Sequence, residues 1–324
     1  MNILVTGGTG FIGSNIVEAL LAEGHNVCIT GTKNEVNVEN VKFYKTHLTG
    51  LNWTALAKEN IDVVFHQAAN NDTQDQDEAD MIAANFDAPC YLFNMLYRFG
   101  CRQFVYASST AVYGNSPSPY IEDQTPLDPL TPYAKTKAMF DEFAMAFAKE
   151  RPRTNVIGLR YCNVYGCGEH HKDRRASMIF QIMDRVDLNI SPTLFKYGEQ
   201  SRDWIYIKDV VKANLLAMTH QGSGIYNCGT GVATSFNDIL KITNALLQSN
   251  VAANYIDNPI ADTYQNVTCC NIDKIKAELG FTVDFDIQSG IADYYKNGSC
   301  NFWEPPSEDG TEVVAEILRK AIGT

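Results

Sequence analysis

A short apolar strand that runs into a glycine-rich turn and then a helix, at the very start of the chain, constrains this sequence more than any other feature. Ile3-Leu4-Val5 reads as the strand, Thr6-Gly7-Gly8-Thr9-Gly10-Phe11-Ile12-Gly13 as the turn, and residues 13–22 as a helix with apolar residues at helical spacing. Glycines in this place let the backbone turn tightly and approach a pyrophosphate, which then rests on the helix N-terminus. Gly7, Gly10, Phe11, Ile12 and Gly13 are therefore the expected contacts of a dinucleotide.

The same alternation continues. Strands are expected at 26–30, 62–66, 103–107 and 155–160, and helices at 87–98 and 133–149. Nearly continuous apolar strands alternating with amphipathic helices predict an α/β fold, a Rossmann-type doubly wound parallel sheet covered on both faces. Beyond Tyr165 the rhythm breaks. Residues 166–175 are rich in Gly, His and charge, which suits a loop over a ligand. A strand at 203–208 and a helix at 209–219 follow, then mixed short elements and a last helix at 312–321. The expected division is a dinucleotide-binding domain over 1–165, with 203–228 returning to it, and a smaller α/β substrate lobe formed by 166–202 and 229–324.

Composition narrows the partners. The 324 residues are 45% hydrophobic and 20% charged, enough for a full core. Twenty-six basic against 38 acidic residues give a net charge of −12, which opposes binding to nucleic acid or an anionic membrane. A phosphate-bearing small molecule then needs a local positive pocket. The nine cysteines are odd in number and form no CxxC pair or Cys/His cluster, so reduced thiols and no metal site are expected. Cys269–Cys270 is expected to pack in a strand. With no signal-peptide pattern and no apolar run near the roughly 20 residues that cross a bilayer, a cytoplasmic protein is expected.

An Asp or Glu closing the second strand would bind the adenosine ribose hydroxyls of NAD. Here Val27-Cys28-Ile29-Thr30 runs into Gly31-Thr32-Lys33 with no carboxylate. Thr32 and Lys33 would suit a 2′-phosphate, so NADP is the expected cofactor and NAD the alternative.

Tyr133 and Lys137 stand four apart, on one face of a predicted helix. Ala107-Ser108-Ser109-Thr110-Ala111-Val112-Tyr113-Gly114 closes a strand, where active-site residues of open α/β sheets gather. Together with the N-terminal TGGTGFIG, the YxxxK pair and the SSxxVYG stretch resemble the extended short-chain dehydrogenase/reductases, over residues 1 to about 295.

The resemblance implies roles. Tyr133 would exchange the proton of a substrate hydroxyl, its phenol pKa lowered by a nearby ammonium and a nicotinamide cation. Lys137 would hold the cofactor ribose and bias Tyr133. Ser109, with Thr110 as the other candidate, would hydrogen-bond the reacting oxygen, while Tyr113 reads as a packed aromatic. Asn85 stands where an Asn supports the active-site backbone beside the cofactor, and His66-Gln67-Ala68-Ala69 matches the loop passing the cofactor, with Ala68 in contact. Asn163 lies in a segment that resembles RYxNVYG, and Arg202 in one that resembles RDxxYxxD; both imply contacts to a nucleotide-sugar diphosphate. Thr73, in the polar stretch 72–80, is a further substrate candidate.

Nucleotide-sugar dehydratases of this kind carry an Asp-Glu pair after the catalytic Ser/Thr, where this chain has Thr110-Ala111, so elimination of water is disfavoured. Asn163-Val164-Tyr165-Gly166, Lys172 six residues on, and Ala176-Ser177-Met178 resemble the ADP-glycero-manno-heptose 6-epimerases, in which that Lys is a second acid/base. Tyr264 resembles a substrate contact of the same branch. Asp173-Arg174-Arg175 departs from the pattern, and Arg174 or Arg175 would supply the cationic neighbour that lowers the pKa of Lys172. The resemblance implies an NAD(P)-dependent nucleotide-sugar epimerase with Lys172 in the site, acting as a homo-oligomer. The alternatives are a UDP-hexose or UDP-uronate 4-epimerase, a keto-sugar reductase, or an idle NADP-binding regulator. Residues 300–324, with Trp303 and Pro305-Pro306, have no counterpart in the family.

Overall fold

The computed structural model describes residues 1–32, 41–72, 75–169, 172, 175–258 and 264–297. Lys33, Thr73 and the helix expected at 312–321 lie outside the described residues.

The chain opens with β1 (Asn2–Thr6), α1 (Phe11–Ala22), β2 (Asn26–Gly31), β3 (Val41–Lys45), α2 (Trp53–Ala57) and β4 (Val63–His66). There follow α3 (Glu78–Ile82), α4 (Ala88–Arg98), β5 (Gln103–Ser109), α5 (Pro132–Glu150), β6 (Asn155–Tyr161) and β7 (Asn163–Tyr165). After these come α6 (Met178–Asp187), β8 (Thr193–Phe195), β9 (Ser201–Tyr206), α7 (Ile207–Thr219), β10 (Gly224–Cys228) and β11 (Ala233–Ser235). The described part ends with α8 (Phe236–Leu246), β12 (Asn254–Ile256), β13 (Val267–Thr268), α9 (Asp273–Leu279) and α10 (Ile287–Asn297).

Seven strands form one parallel sheet in the order β10-β6-β5-β4-β1-β2-β3. This is the doubly wound sheet that the alternation predicts. The order reverses between β1 and β4, which opens a crevice at their carboxyl ends. Because side chains alternate across a strand, Ile3 and Val5 enter one core and Leu4 the other. The first core joins α1 and α7 through Ile16, Val17, Val210 and Ala213. On the opposite face α4 and α5 pack an aromatic cluster, with Phe93 5.2 Å from Phe140 and Phe104 5.4 Å from Phe147. Burying each such ring contributes roughly 1.5–3 kcal/mol. No described helix is long and apolar enough to cross a membrane.

Two smaller sheets lie apart from this one. β9 pairs with β7, β11 and β13, and β8 pairs with β12. The strand expected at 203–208 in fact spans Ser201–Tyr206, and Lys208 falls in α7. Asp209, in the first turn of that helix, accepts the backbone N–H groups of Asp284 and Phe285 at 3.1 Å each, so the chain is tied into a helix start there. β3 was not foreseen. Its partly exposed Val-Lys-Phe-Tyr-Lys run lacks the continuous apolar signature because it is the sheet edge. Cys270 forms only an isolated bridge to Tyr120, beyond the end of β13.

Candidate active site

The turn after β1 explains its glycines. Gly7 has a φ of +67°, and a Cβ there would sit 2.8 Å from the Ala68 nitrogen. A Cβ on Gly13 would sit 2.2 Å from the Gly7 carbonyl oxygen. No side chain caps α1 at Gly10, so the N–H groups of its first turn face the crevice. The crevice is a cleft of about 790 Å³ lined by Gly7, Gly10, Phe11, Ile12, Gly13, Thr32 and Ala68, among others. A close backbone approach, an uncapped helix start and this volume fit a dinucleotide, with the pyrophosphate on α1. At the end formed by β2 and β3 the wall carries Thr30, Thr32, Thr46, His47 and Thr49.

Asn85 stands one step behind the cleft. It is buried inside a single π-helical turn, Ala83–Asp87, between α3 and α4. Its Oδ1 accepts the Asn70 N–H at 2.8 Å and its Nδ2 donates to the Asn70 carbonyl at 2.8 Å. The side chain thus clamps both backbone groups of Asn70, which itself lines the cleft. Neighbouring His66 is buried and bonded to Thr6 Oγ1 at 2.8 Å, and burial, aided by the Lys137 charge, lowers its pKa to about 3. It is neutral at physiological pH.

Ser109, Tyr133 and Lys137 gather at the carboxyl end of β5. Thr131 caps α5 by accepting the Ala134 N–H, and Pro132 starts the helix, which sets Tyr133 and Lys137 on one face one turn apart. Lys137 Nζ donates to the Ala107 carbonyl at 2.7 Å and lies 5.8 Å from the centre of the Tyr133 ring. Burial lowers Lys137 to about 8. Burial raises the Tyr133 phenol and a hydrogen bond with Ser109 draws it back down. The protein's own groups therefore push Tyr133 upward, opposite to the expectation from Lys137, whose charge is itself depressed. Tyr113 is buried, stacked on Tyr120 at 4.5 Å and bonded to Asn227 and Arg160, the packed aromatic that was expected.

A second cavity of about 330 Å³ is lined by Asn163, Val164, Lys172, Arg175, Ala176, Ser177, Met178, Arg202, Trp204, Phe236 and Tyr264. Four predicted substrate residues, distant in sequence, thus meet at one surface. Lys172 and Arg175 line the dinucleotide cleft as well, so these two side chains border both cavities. Lys172 Nζ lies 5.3 Å from the centre of the Phe11 ring. Burial lowers its pKa, with Glu169 opposing that shift and Arg175 adding to it. Arg202 lies over the Tyr264 ring at 4.9 Å, and its guanidinium has no carboxylate partner among the described residues. Asn163 Nδ2 donates to the Asp203 carbonyl at 3.3 Å. Asp203 itself is fully buried and accepts from Thr230, Gly231 and Cys270, which uses its oxygens to fix the residues after β10 against those around Cys270.

The profile of the NAD dependent epimerase/dehydratase family matches residues 3–229. The chain belongs to that family. A curated relative, the ADP-L-glycero-D-manno-heptose-6-epimerase of Brachyspira hyodysenteriae, is 34% identical over 308 residues, 90% of this chain and 96% of that protein. The solved Helicobacter pylori ADP-L-glycero-D-manno-heptose-6-epimerase is similar with a TM-score of 0.82 at 30% identity, covering 91% of this chain and 95% of that one. A UDP-N-acetylglucosamine 4-epimerase from Methanobrevibacter ruminantium M1, solved with UDP-N-acetylmuramic acid, gives 0.84 at 28% identity over 91% and 97%.

Arg175, one of the two arginines expected to lower the Lys172 pKa, lines both cavities, while Arg174 lies outside the described residues. Within this NAD-dependent family member, sequence reasoning missed two contributors to the site. Asn70 carries the cleft wall held by Asn85, and Glu169 is buried three residues before Lys172. A carboxylate in a glycine-rich loop ahead of a helix-capping Ser was the available signal for Glu169.

Proposed function

We propose that this NAD-dependent nucleotide-sugar epimerase inverts one carbon of an ADP-glycero-manno-heptose, with Tyr133 and Lys172 exchanging protons on two sides of the reacting carbon. The observation that carries this reading is the place of Lys172, which lines both the dinucleotide cleft and the Arg202 cavity. The 34% identical heptose epimerase supports the choice of sugar. A nicotinamide dinucleotide, when bound, supplies the acceptor and donor of hydride.

The chain's own residues do the rest. Ser109 hydrogen-bonds the reacting oxygen, and Tyr133 takes or returns its proton. Lys137 holds the ribose. Arg202, stacked on Tyr264, grips the substrate diphosphate, and Asn163 contacts the same phosphates. Burial and the Arg175 charge lower the pKa of Lys172, the direction that favours its acting as a proton acceptor. Thr110 and Ala111 leave no carboxylate beside Ser109 for removing water, which favours epimerisation over dehydration. NADP is the preferred cofactor in this reading, supported by the hydroxyl-rich wall of Thr30, Thr32, Thr46 and Thr49. The enzyme acts as a homo-oligomer, supported by the exposed Tyr91 of α4 and Met139 of α5.

A proton NMR time course with ADP-glycero-manno-heptose, UDP-glucose and UDP-glucuronate tests the reading. Interconversion of the heptose epimers without added cofactor is expected, together with loss of turnover in Lys172→Met while the dinucleotide stays bound. The second reading, a UDP-sugar 4-epimerase, draws on the similarity to the Methanobrevibacter enzyme. Turnover of a UDP-sugar alone, undiminished in Lys172→Met, would select it.

A further inference from the structure

The chemistry above uses Lys172 but not the carboxylate three residues before it. Glu169 is fully buried. A buried carboxylate is costly unless donors saturate it. Here the Gly166 N–H at 3.0 Å and the Ser177 hydroxyl at 2.9 Å donate to Oε1, and the Ser177 N–H at 2.5 Å donates to Oε2. Burial, and with it the charge of this carboxylate, holds the Tyr294 phenol well above its ordinary value.

The partners stand at informative places. Gly166 follows β7 directly, with a φ of +138°. Ser177 caps α6, its Oγ accepting the Phe180 N–H. One side chain therefore ties together the two ends of the segment that carries Lys172 and Arg175. The Lys172 N–H also bonds to the Glu169 carbonyl at 2.9 Å. Asn15 of α1 donates to the Cys167 carbonyl at 3.0 Å, which fastens the start of the segment to the dinucleotide helix.

We propose that Glu169 is the positioning residue for Lys172: its buried carboxylate clasps both ends of the Lys172 segment and holds that ammonium between the two cavities. The inference rests on the reading of Lys172 given above. Two consequences follow from the chemistry. Gln in place of Glu keeps the shape but presents an NH₂ to donors that need an acceptor, so the clasp opens at one oxygen. It also removes the anion that opposes the lowering of Lys172, so Lys172 titrates at lower pH. Asp keeps the charge but is one methylene short of both ends.

The test compares Lys172→Met, Glu169→Gln, Glu169→Asp and the Lys172→Met/Glu169→Gln double variant. Each is assayed on whichever of the three nucleotide sugars the wild type turns over, with bound dinucleotide, kcat, KM and the pH–rate profile recorded. Glu169→Gln is expected to keep its dinucleotide and lose kcat by about 10- to 100-fold. Its Lys172 limb moves to lower pH, and Glu169→Asp loses kcat with that limb in place. The double variant falls no further than Lys172→Met alone, because both changes act through one group. An unchanged kcat and pH profile in Glu169→Gln, or losses that multiply in the double variant, would overturn the proposal while leaving the Lys172 reading intact. Wild-type turnover in Lys172→Met would instead remove the Lys172 reading, and this proposal with it. Should Glu169→Gln not fold, Glu169→Asp decides, since undiminished kcat there would show that the clasp is not needed.

Discussion

Burial dominates the titration of Tyr133, Lys137 and His66, raising the phenol and lowering the two cationic groups. Replacing Tyr133 with Phe removes the hydroxyl proposed to exchange the substrate proton without touching the packing of α5. Turnover is expected to fall by roughly 10²–10⁴-fold, with bound dinucleotide unchanged in its absorbance spectrum; comparable turnover would shift the role to Lys172 alone. His66 gives a stability signature. Its folded pKa of about 3 lies below the ordinary 6.5, so between these values the unfolded chain binds a proton that the folded one refuses. Stability is therefore lost as pH falls below about 6.5, by about 3 kcal/mol at pH 4. Urea titrations at the two pH values should show that loss in the wild type and a smaller one in His66→Gln. Equal losses would mean that His66 is not held neutral.

At the scale of elements, the turn between β1 and α1 works because three pieces of backbone meet where no Cβ fits. Gly13→Ala places a carbon 2.2 Å from the Gly7 carbonyl oxygen, in the first turn of the helix. The helix must shift away from the turn, which moves the N–H groups proposed to receive the pyrophosphate. Loss of co-purifying dinucleotide is expected in Gly13→Ala, read from the nucleotide released on denaturation, while the circular dichroism spectrum stays that of the wild type. Retention of a full complement would exclude this geometry as the binding site. At the start of α5, Thr131→Ala removes a cap worth about 1 kcal/mol, a loss visible in equilibrium unfolding and smaller than any core substitution.

Across the whole molecule, a buried polar chain joins the α5 face of the sheet to the segments beyond β10. Arg160 on β6 donates to Asp141 on α5 at 2.8 Å and to the Tyr113 hydroxyl at 2.9 Å, while Tyr106 donates to Asp141 at 3.0 Å. Tyr113 passes the network to Asn227 on β10, whose N–H donates to Glu122 at 2.7 Å. Asp141→Ala strands the Arg160 guanidinium in the interior and is expected to cost about 3–5 kcal/mol, measured by denaturant unfolding. Replacing Asp141 and Arg160 together by apolar residues should recover part of that loss. A cost below about 1 kcal/mol for Asp141→Ala would show that solvent reaches the guanidinium.

The parts of this protein that were legible in its sequence are those whose partners are close along the chain. Gly7 to Gly13 form one turn, Tyr133 and Lys137 share one helical turn, and β1, β2, β4, β5 and β6 announce themselves because both of their faces are apolar. The edge strand β3 and the true start of β9 were not legible, because exposure and pairing are decided by neighbours that no local pattern names. The resemblance pointed to Asn163, Lys172, Arg202 and Tyr264 singly. Only the tertiary structure brings them around one cavity and sets Lys172 and Arg175 between it and the dinucleotide cleft. The Asn85 clamp on Asn70 and the Glu169 clasp of Gly166 and Ser177 arise in the same way. Backbone propensity and side-chain period act over a few residues, so sequence determines the elements and the local motifs. Burial, hydrogen-bond saturation and the field at a titrating group depend on every element packed nearby, and those only the folded chain decides.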